Sequence, residues 1–176
     1  MMRLTFPSIA SAMVIWIGTT TSAHAASCPS ASDVRSEIGR VGAKAAVDRN
    51  FANAERWNCV LKGIESARPA WLSVAMQLRT ASDAGSSSEL GDAMVTAFEA
   101  NPSNVLFVLH TDAGPNRLSV KTVCTPALEP RQGYRAYFDQ TEAKLLALKS
   151  DTLSVKIGRC ITLIQHARPT LIGESR

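Results

Sequence analysis

Apolar residues recur at steps of three and four along most of this chain, and strand-like alternation is nearly absent. Between Ala52 and Ala67 such residues fall on one side of a helix, at Ala54, Trp57, Val60, Leu61 and Ile64. A half-buried strand would instead need apolar residues at every second position. The pattern therefore predicts an all-α fold.

Prolines and capping residues divide this pattern into separate helices. Pro69 suits a first helical position, where its missing N–H costs nothing, and Pro102 follows the capping residue Asn101 in the same way. Ser86 and Glu89 have the spacing of a capping box. The predicted helices run from about Ala52 to Ala67, from Pro69 onward, from Ser87 to Ala100, from Pro102 to His110, from Pro130 to Leu148, and from Asp151 to Ala167. We expect antiparallel helical hairpins in one domain, residues 26–176.

Short segments of the chain resemble one another. Ile64 to Pro69 is echoed by Ile164 to Pro169, and Phe98 to Pro102 has a similar form, in which a helix end precedes a proline. Repetition of this kind favours a short solenoid-like stack, in which each hairpin buries its apolar face against the next. The alternative is coincidence, since prolines are common at helix starts.

The first 25 residues have the layout of a secretory signal peptide. A single basic residue, Arg3, precedes an apolar run from Leu4 to Ile17, and a small-x-small site ends at Ala25. The run is too short and interrupted to anchor the chain in a bilayer. We therefore expect cleavage after residue 25 and a periplasmic or secreted protein.

Four cysteines follow the predicted cleavage site: Cys28, Cys59, Cys124 and Cys160. An even number in an oxidising compartment predicts two disulfides, for which three pairings are possible. We favour Cys28–Cys59 with Cys124–Cys160, which ties the N-terminal segment to the Trp57 helix and the segment at Val123 to the last helix. No Cys-x-x-Cys is present, which disfavours a zinc or redox site.

The composition and the motifs disfavour several functional classes. The formal net charge is +4, with no run of five basic residues, so nucleic-acid binding is not expected. No zinc-protease helix, nucleophile elbow or phosphate loop occurs, and we expect no cofactor or metal. One local pair, His110 and Asp112, could act as a general base with a carboxylate partner. A histidine at a helix end followed by a turn is the favoured explanation, and it applies to His166 too.

The segment from Arg117 to Phe138 has the composition of a protein interface. Arginine and tyrosine supply large contact areas and directional hydrogen bonds. The candidate binding residues are Arg117, Lys121, Arg131, Tyr134 and Arg135. The alternative is that the aromatic residues, which include Tyr137 and Phe138, are core and the arginines solvated. The loops at residues 84–88 and 112–116 are the next candidate surfaces.

Two segments carry a resemblance to a known group of proteins. Asn58 to Ile64 and Trp71 to Leu78, with Pro69 between them, resemble uncharacterised exported helical proteins of proteobacteria related to HEAT-type repeats. The resemblance spans roughly residues 52–124. It implies an all-α fold and transfers no catalytic residue.

Together these features predict an exported, non-enzymatic domain that binds a protein partner in the cell envelope. Its sharpest form is an inhibitor or immunity-type protein against an envelope-acting effector. One alternative is an envelope adaptor or assembly factor. The other is a helical hydrolase that uses a carboxylate or a histidine.

Overall fold

A computed structural model describes residues 28–114, 116–127 and 133–171. These residues form nine α-helices and one short 3-10 helix, and their only β-type pairing is a single bridge between His110 and Ser119. The all-α prediction is confirmed, whereas the predicted signal peptide lies outside the described residues. The helices are α1 Ala31–Val41, α2 Ala43–Phe51, α3 Ala54–Glu65, α4 Pro69–Arg79, α5 Ala84–Ala100, α6 Pro102–Val108, α7 Val120–Cys124, α8 Tyr134–Ala147 and α9 Ser154–Leu171.

Side-chain caps fix several helix starts. At α6 the Asn101 Oδ1 accepts the backbone N–H of Asn104 at 3.0 Å, and Pro102 is the first helical residue, as predicted. Helix α5 begins at Ala84, three residues before the predicted start at Ser87. Asp83 is the true N-cap, since its Oδ1 accepts the Ser86 N–H at 3.0 Å while Ser86 Oγ accepts the Asp83 N–H at 3.1 Å.

Other boundaries also differ from the predicted ones. Helix α6 ends at Val108, because the backbone of His110 pairs with a later segment. Helix α8 begins at Tyr134, and its predicted start at Pro130 lies outside the described residues. Helix α9 follows a 3-10 turn over Asp151–Leu153 and continues to Leu171, beyond its predicted end. Helices α1, α2 and α7 were not predicted.

The tryptophans lie in the core, as the periodicity indicated. Trp57 in α3 and Trp71 in α4 are both buried. Gly63 lies directly against the Trp71 ring, and a Cβ atom at position 63 would overlap it. Glycine at this position therefore sets how closely α3 and α4 can pack.

The echoed segments do not share one conformation. In the first, α3 ends at Glu65, Ala67 takes a left-handed φ of 53°, and Pro69 opens α4. The segment ending at Pro102 has the same helix, break and proline order. The copy that ends at Pro169 instead lies within the continuous helix α9.

Both favoured disulfides are present. Cys28–Cys59 joins the N-terminal segment to α3, with the two Cα atoms 5.4 Å apart. Cys124–Cys160 joins α7 to α9 at the same Cα separation of 5.4 Å, and both of these cysteines are fully buried. The described residues contain no free cysteine.

Two lysines cap the C-terminal ends of neighbouring helices. Lys144 Nζ donates to the Glu99 carbonyl of α5 at 3.0 Å. Lys156 Nζ donates to the Leu106 and Phe107 carbonyls of α6 at 2.8 and 3.0 Å, and partial burial lowers the pKa of its ammonium group. These bonds satisfy carbonyls that α5 and α6 leave unpaired, and they tie both helices to the C-terminal part of the fold.

Candidate functional site

A groove of about 300 Å³ opens between α5 and the segment that contains α7. One wall is a single face of α5, where successive lining positions are one or three residues apart. The other wall combines α7 with the loops on either side of it. From α5 the groove is lined by Ser87, Ser88, Gly91, Asp92 and Val95, and from the opposite wall by Ala113, Arg117, Ser119, Lys121, Thr122, Thr125, Pro126 and Ala127.

A backbone bridge closes the loop that carries Arg117. The His110 N–H donates to the Leu118 carbonyl at 3.1 Å, and the Val120 N–H donates to the His110 carbonyl at 2.8 Å. The loop is thereby closed at its base and leads directly into α7. Arg117 consequently stands one residue before the bridged segment, at the edge of the groove.

Helix α7 packs tightly against its surroundings at the base of the groove. Val120, Val123 and Cys124 are all fully buried. The Ser119 N–H donates to Thr122 Oγ1 at 3.2 Å, which orders the first turn. On the opposite wall, a Cβ atom at Gly91 would lie 3.7 Å from Thr122 Cγ2, an ordinary van der Waals contact. The two walls therefore meet at Gly91.

Two tyrosine hydroxyl groups of α8 form hydrogen bonds with the backbone of the segment that contains α7. The Tyr137 hydroxyl donates to the Val123 carbonyl, and the Tyr134 hydroxyl donates to the Pro126 carbonyl at 3.2 Å. Burial raises the pKa of the Tyr137 phenol, so this group remains protonated at any physiological pH. The groove wall is thus fixed to α8 by two hydrogen bonds and to α9 by a disulfide.

The groove has unpaired charge on both walls. Arg117 and Lys121 are exposed, and their side chains make no hydrogen bond or ion pair with any described residue. Asp92, on the α5 wall, is likewise exposed and lies in no ion pair with the part of the chain that the structure describes. Ser87 is already engaged, since its Oγ lies 2.6 Å from Ser82 Oγ and accepts from Arg79 at 2.9 Å. The groups of the groove without a partner among the described residues are therefore two cations, one carboxylate and the Ser88 hydroxyl.

The structure brings together only part of the predicted binding surface. Arg117 and Lys121 both line the groove. Tyr134 is buried, with 8% of its surface exposed, and belongs to the core, because α8 turns its aromatic face toward α7. Arg135 is exposed on α8 but does not line the groove, and Arg131 lies outside the described residues.

Sequence reasoning did not connect Ser88 and Asp92 with Arg117. The sequence indicated part of this groove. The two loops named as the next candidate surfaces, residues 84–88 and 112–116, contribute Ser87, Ser88 and Ala113 to it. Asp92 has no local pattern that marks it. It joins the site only because it lies one helical turn after Ser88 on α5.

The candidate catalytic residues are not assembled into a site. His110 and Asp112 are exposed, and no hydrogen bond joins their side chains. His166 is exposed on α9. Among residues 28–114, 116–127 and 133–171, no group of three or more histidine, cysteine or acidic residues is placed to hold a metal ion.

A second polar cluster, formed by Glu37, Asn50 and Arg56, is satisfied internally. The Asn50 amide donates to Glu37 Oε2 at 3.2 Å and to the Ala46 carbonyl at 2.6 Å, and its Oδ1 accepts from Arg56 Nε at 2.7 Å. Arg56 Nη2 lies 2.8 Å from Glu37 Oε2. Since Asn50 is fully buried and its groups are bonded, this cluster joins α1, α2 and α3 rather than binding a ligand.

Comparison with protein-family models, with curated proteins and with solved structures finds no match to this chain. None of the described helices combines the length and the apolar character needed to cross a bilayer. The described residues form a disulfide-linked all-α domain, and its groove between α5 and α7 is an open site of mixed charge. Its function is therefore inferred from that site.

Proposed function

We propose that this protein is an exported, non-enzymatic binding domain that engages an acidic protein partner in the periplasm. The most specific version of this proposal is an inhibitor or immunity-type protein that binds an envelope-acting effector. The observation that carries the proposal is the convergence of Arg117 and Lys121, neither paired with another described residue, in one groove with Ser88 and Asp92.

The compartment is supported by covalent chemistry. Both cysteine pairs are bonded, and disulfides persist in oxidising compartments such as the periplasm. The N-terminal pattern of the sequence, with its predicted cleavage site after Ala25, supports export as the route.

Because no described residue pairs with Arg117 or Lys121, both cations are available to opposite charge on a partner. Exposed ion pairs contribute only about 0.2–1 kcal/mol each, so Arg117 and Lys121 supply orientation and association rate more than affinity. The affinity would come from the walls of the groove, where Val95, Pro126 and Ala127 add apolar surface to the hydroxyls.

The test is affinity capture from an envelope extract with residues 26–176 as bait. The variant Arg117→Glu/Lys121→Glu reverses two groove charges. The control Arg40→Glu/Arg159→Glu makes the same change in net charge at two exposed cations that do not line the groove. We expect a stoichiometric partner that the control retains and the groove variant loses.

A partner captured equally by both variants would contradict the proposal. The captured partner is then assayed with and without the domain. Inhibition of its activity supports the inhibitor or immunity role, and unchanged activity would instead assign the groove to an adaptor.

A further inference from the structure

We infer that the groove accepts an acidic peptide segment of the partner only while the Cys124–Cys160 bond is formed, so that oxidation after export switches binding on. This inference rests on the proposed function and specifies both the ligand class and the regulation of the same site.

The ligand class follows from the free groups of the groove. Arg117 offers a planar pair of N–H donors that matches a carboxylate, and Lys121 adds a second positive charge on the same wall. Asp92 and the Ser88 hydroxyl, on the α5 wall, can accept from peptide N–H groups. No aromatic ring is among the described lining residues, which therefore supply no stacking platform for a sugar or a base.

The dependence on the disulfide follows from the length of α7. This helix has five residues, far fewer than the roughly 12–15 that an isolated helix needs to be even marginally stable. Lys121 and Cys124 belong to this same five-residue helix, three positions apart, with Lys121 exposed to the groove and Cys124 buried and bonded to α9. The restraint that fixes Cys124 to α9 therefore also fixes the position of Lys121 relative to Arg117 and Asp92.

The other disulfide supplies a matched comparison. Cys28–Cys59 closes a similar length of chain, with a sequence separation of 31 against 36 for Cys124–Cys160. Neither Cys28 nor Cys59 lines the groove between α5 and α7. Loss of this bond should therefore change the general stability of the domain while leaving the groove wall in place.

The chemical step is a two-electron oxidation. The thiols of Cys124 and Cys160 release two protons and two electrons and form the S–S bond. The electrons pass to a disulfide oxidant of the compartment, which becomes a dithiol. Because binding and oxidation favour the same arrangement of α7, coupling is reciprocal, and bound peptide must make the bond harder to reduce.

The first experiment measures binding of a fluorescently labelled tetraglutamate peptide by anisotropy at low salt. The variants are Cys124→Ser/Cys160→Ser and, as the control, Cys28→Ser/Cys59→Ser. We expect the first to weaken binding at least about tenfold and the control to bind within about twofold of the parent. Hydrogen exchange should show faster opening of the amides of residues 120–124 in the first variant alone.

The second experiment does not depend on either variant folding. The parent is equilibrated across mixtures of reduced and oxidised dithiothreitol, with and without the peptide, and the Cys124–Cys160 bond is followed by peptide mapping. We expect its midpoint to move to more reducing conditions when the peptide is present. An unchanged midpoint would overturn the inference.

The remaining outcomes separate this inference from the proposed function. Equal binding by the parent and Cys124→Ser/Cys160→Ser removes the switch but leaves the groove as a site. A parent that binds no tetraglutamate removes the acidic peptide as ligand, and the capture experiment then decides the proposed function separately. Inorganic phosphate that displaces the peptide at equal concentration would assign the groove to a phosphate ligand and also overturn the inference.

Discussion

The Tyr137 hydroxyl donates a hydrogen bond to the carbonyl of Val123, and this bond attaches α7 to α8 beneath the groove. The two residues are 14 positions apart in sequence, across a segment that contains no other described helix. The bond is buried, so the Val123 carbonyl depends on the Tyr137 hydroxyl for a partner.

Replacement of this hydroxyl should therefore destabilise the domain. We expect Tyr137→Phe to lower the free energy of unfolding by about 1–3 kcal/mol, because the Val123 carbonyl loses its partner in a buried position. Urea denaturation measures the change. The comparison is Tyr134→Phe, which removes the 3.2 Å bond to the Pro126 carbonyl. If Tyr137→Phe leaves the free energy of unfolding unchanged, the bond between Tyr137 and Val123 does not hold α7.

The contact between Gly63 and Trp71 gives a second test. We expect Gly63→Ala to cost about 1–3 kcal/mol, since the new methyl group overlaps the indole ring and the helices must separate. Gly158→Ala, at a helical position with nothing within 4 Å of the added Cβ, should instead stabilise the protein by about 0.5–1 kcal/mol. Thermal unfolding of both variants checks the sign of each change. Stabilisation by Gly63→Ala would mean that α3 and α4 pack less closely than described.

A third test uses the polar cluster of Glu37, Asn50 and Arg56. Asn50→Ala removes the buried amide and leaves Arg56 Nε and Glu37 with one partner fewer, which should cost about 1–3 kcal/mol. Asn58→Ala, on the exposed face of α3, should change stability by less than about 0.5 kcal/mol. Equal effects of the two substitutions in urea denaturation would contradict a structural role for the cluster.

Helix α5 should respond to acid through its N-cap. Hydrogen bonds from the Ser86 side chain and backbone hold the pKa of Asp83 below its usual value. A carboxyl group with a lowered folded-state pKa stabilises the fold above its unfolded pKa, and this contribution is lost as the pH falls through the folded pKa. We expect Asp83→Asn, which caps without titrating, to lose less stability than the parent from about pH 4 downward. If the parent and Asp83→Asn lose stability equally in acid unfolding curves, the charge of the Asp83 cap does not contribute to the stability of the fold.

The sequence predicted the features that depend on local patterns. Amphipathic spacing predicted α3 and α4, Pro102 predicted the start of α6, and the cysteine positions favoured the correct pairing. Helix α7 was not predicted because its five residues are too few to show a helical period, and its tertiary contacts hold it in place.

The candidate site was predicted in part for the same reason. Helical spacing placed Tyr134, Tyr137 and Phe138 on one apolar face but left open whether that face binds a partner or belongs to the core, and the structure buries it. Asp92 and Arg117 come from segments that only the packing of α5 against α7 brings together. Such a site depends on long-range contacts, which leave no local pattern in the sequence.

The most direct measurement is an NMR titration of the oxidised parent with unlabelled tetraglutamate, following every backbone amide. We expect shifts confined to residues 87–95 and 116–127, weakened by added salt and absent in Arg117→Glu/Lys121→Glu but retained in Arg40→Glu/Arg159→Glu. Shifts spread over the whole surface, or an identical titration of the two charge-reversal variants, would show that the groove is not the binding site.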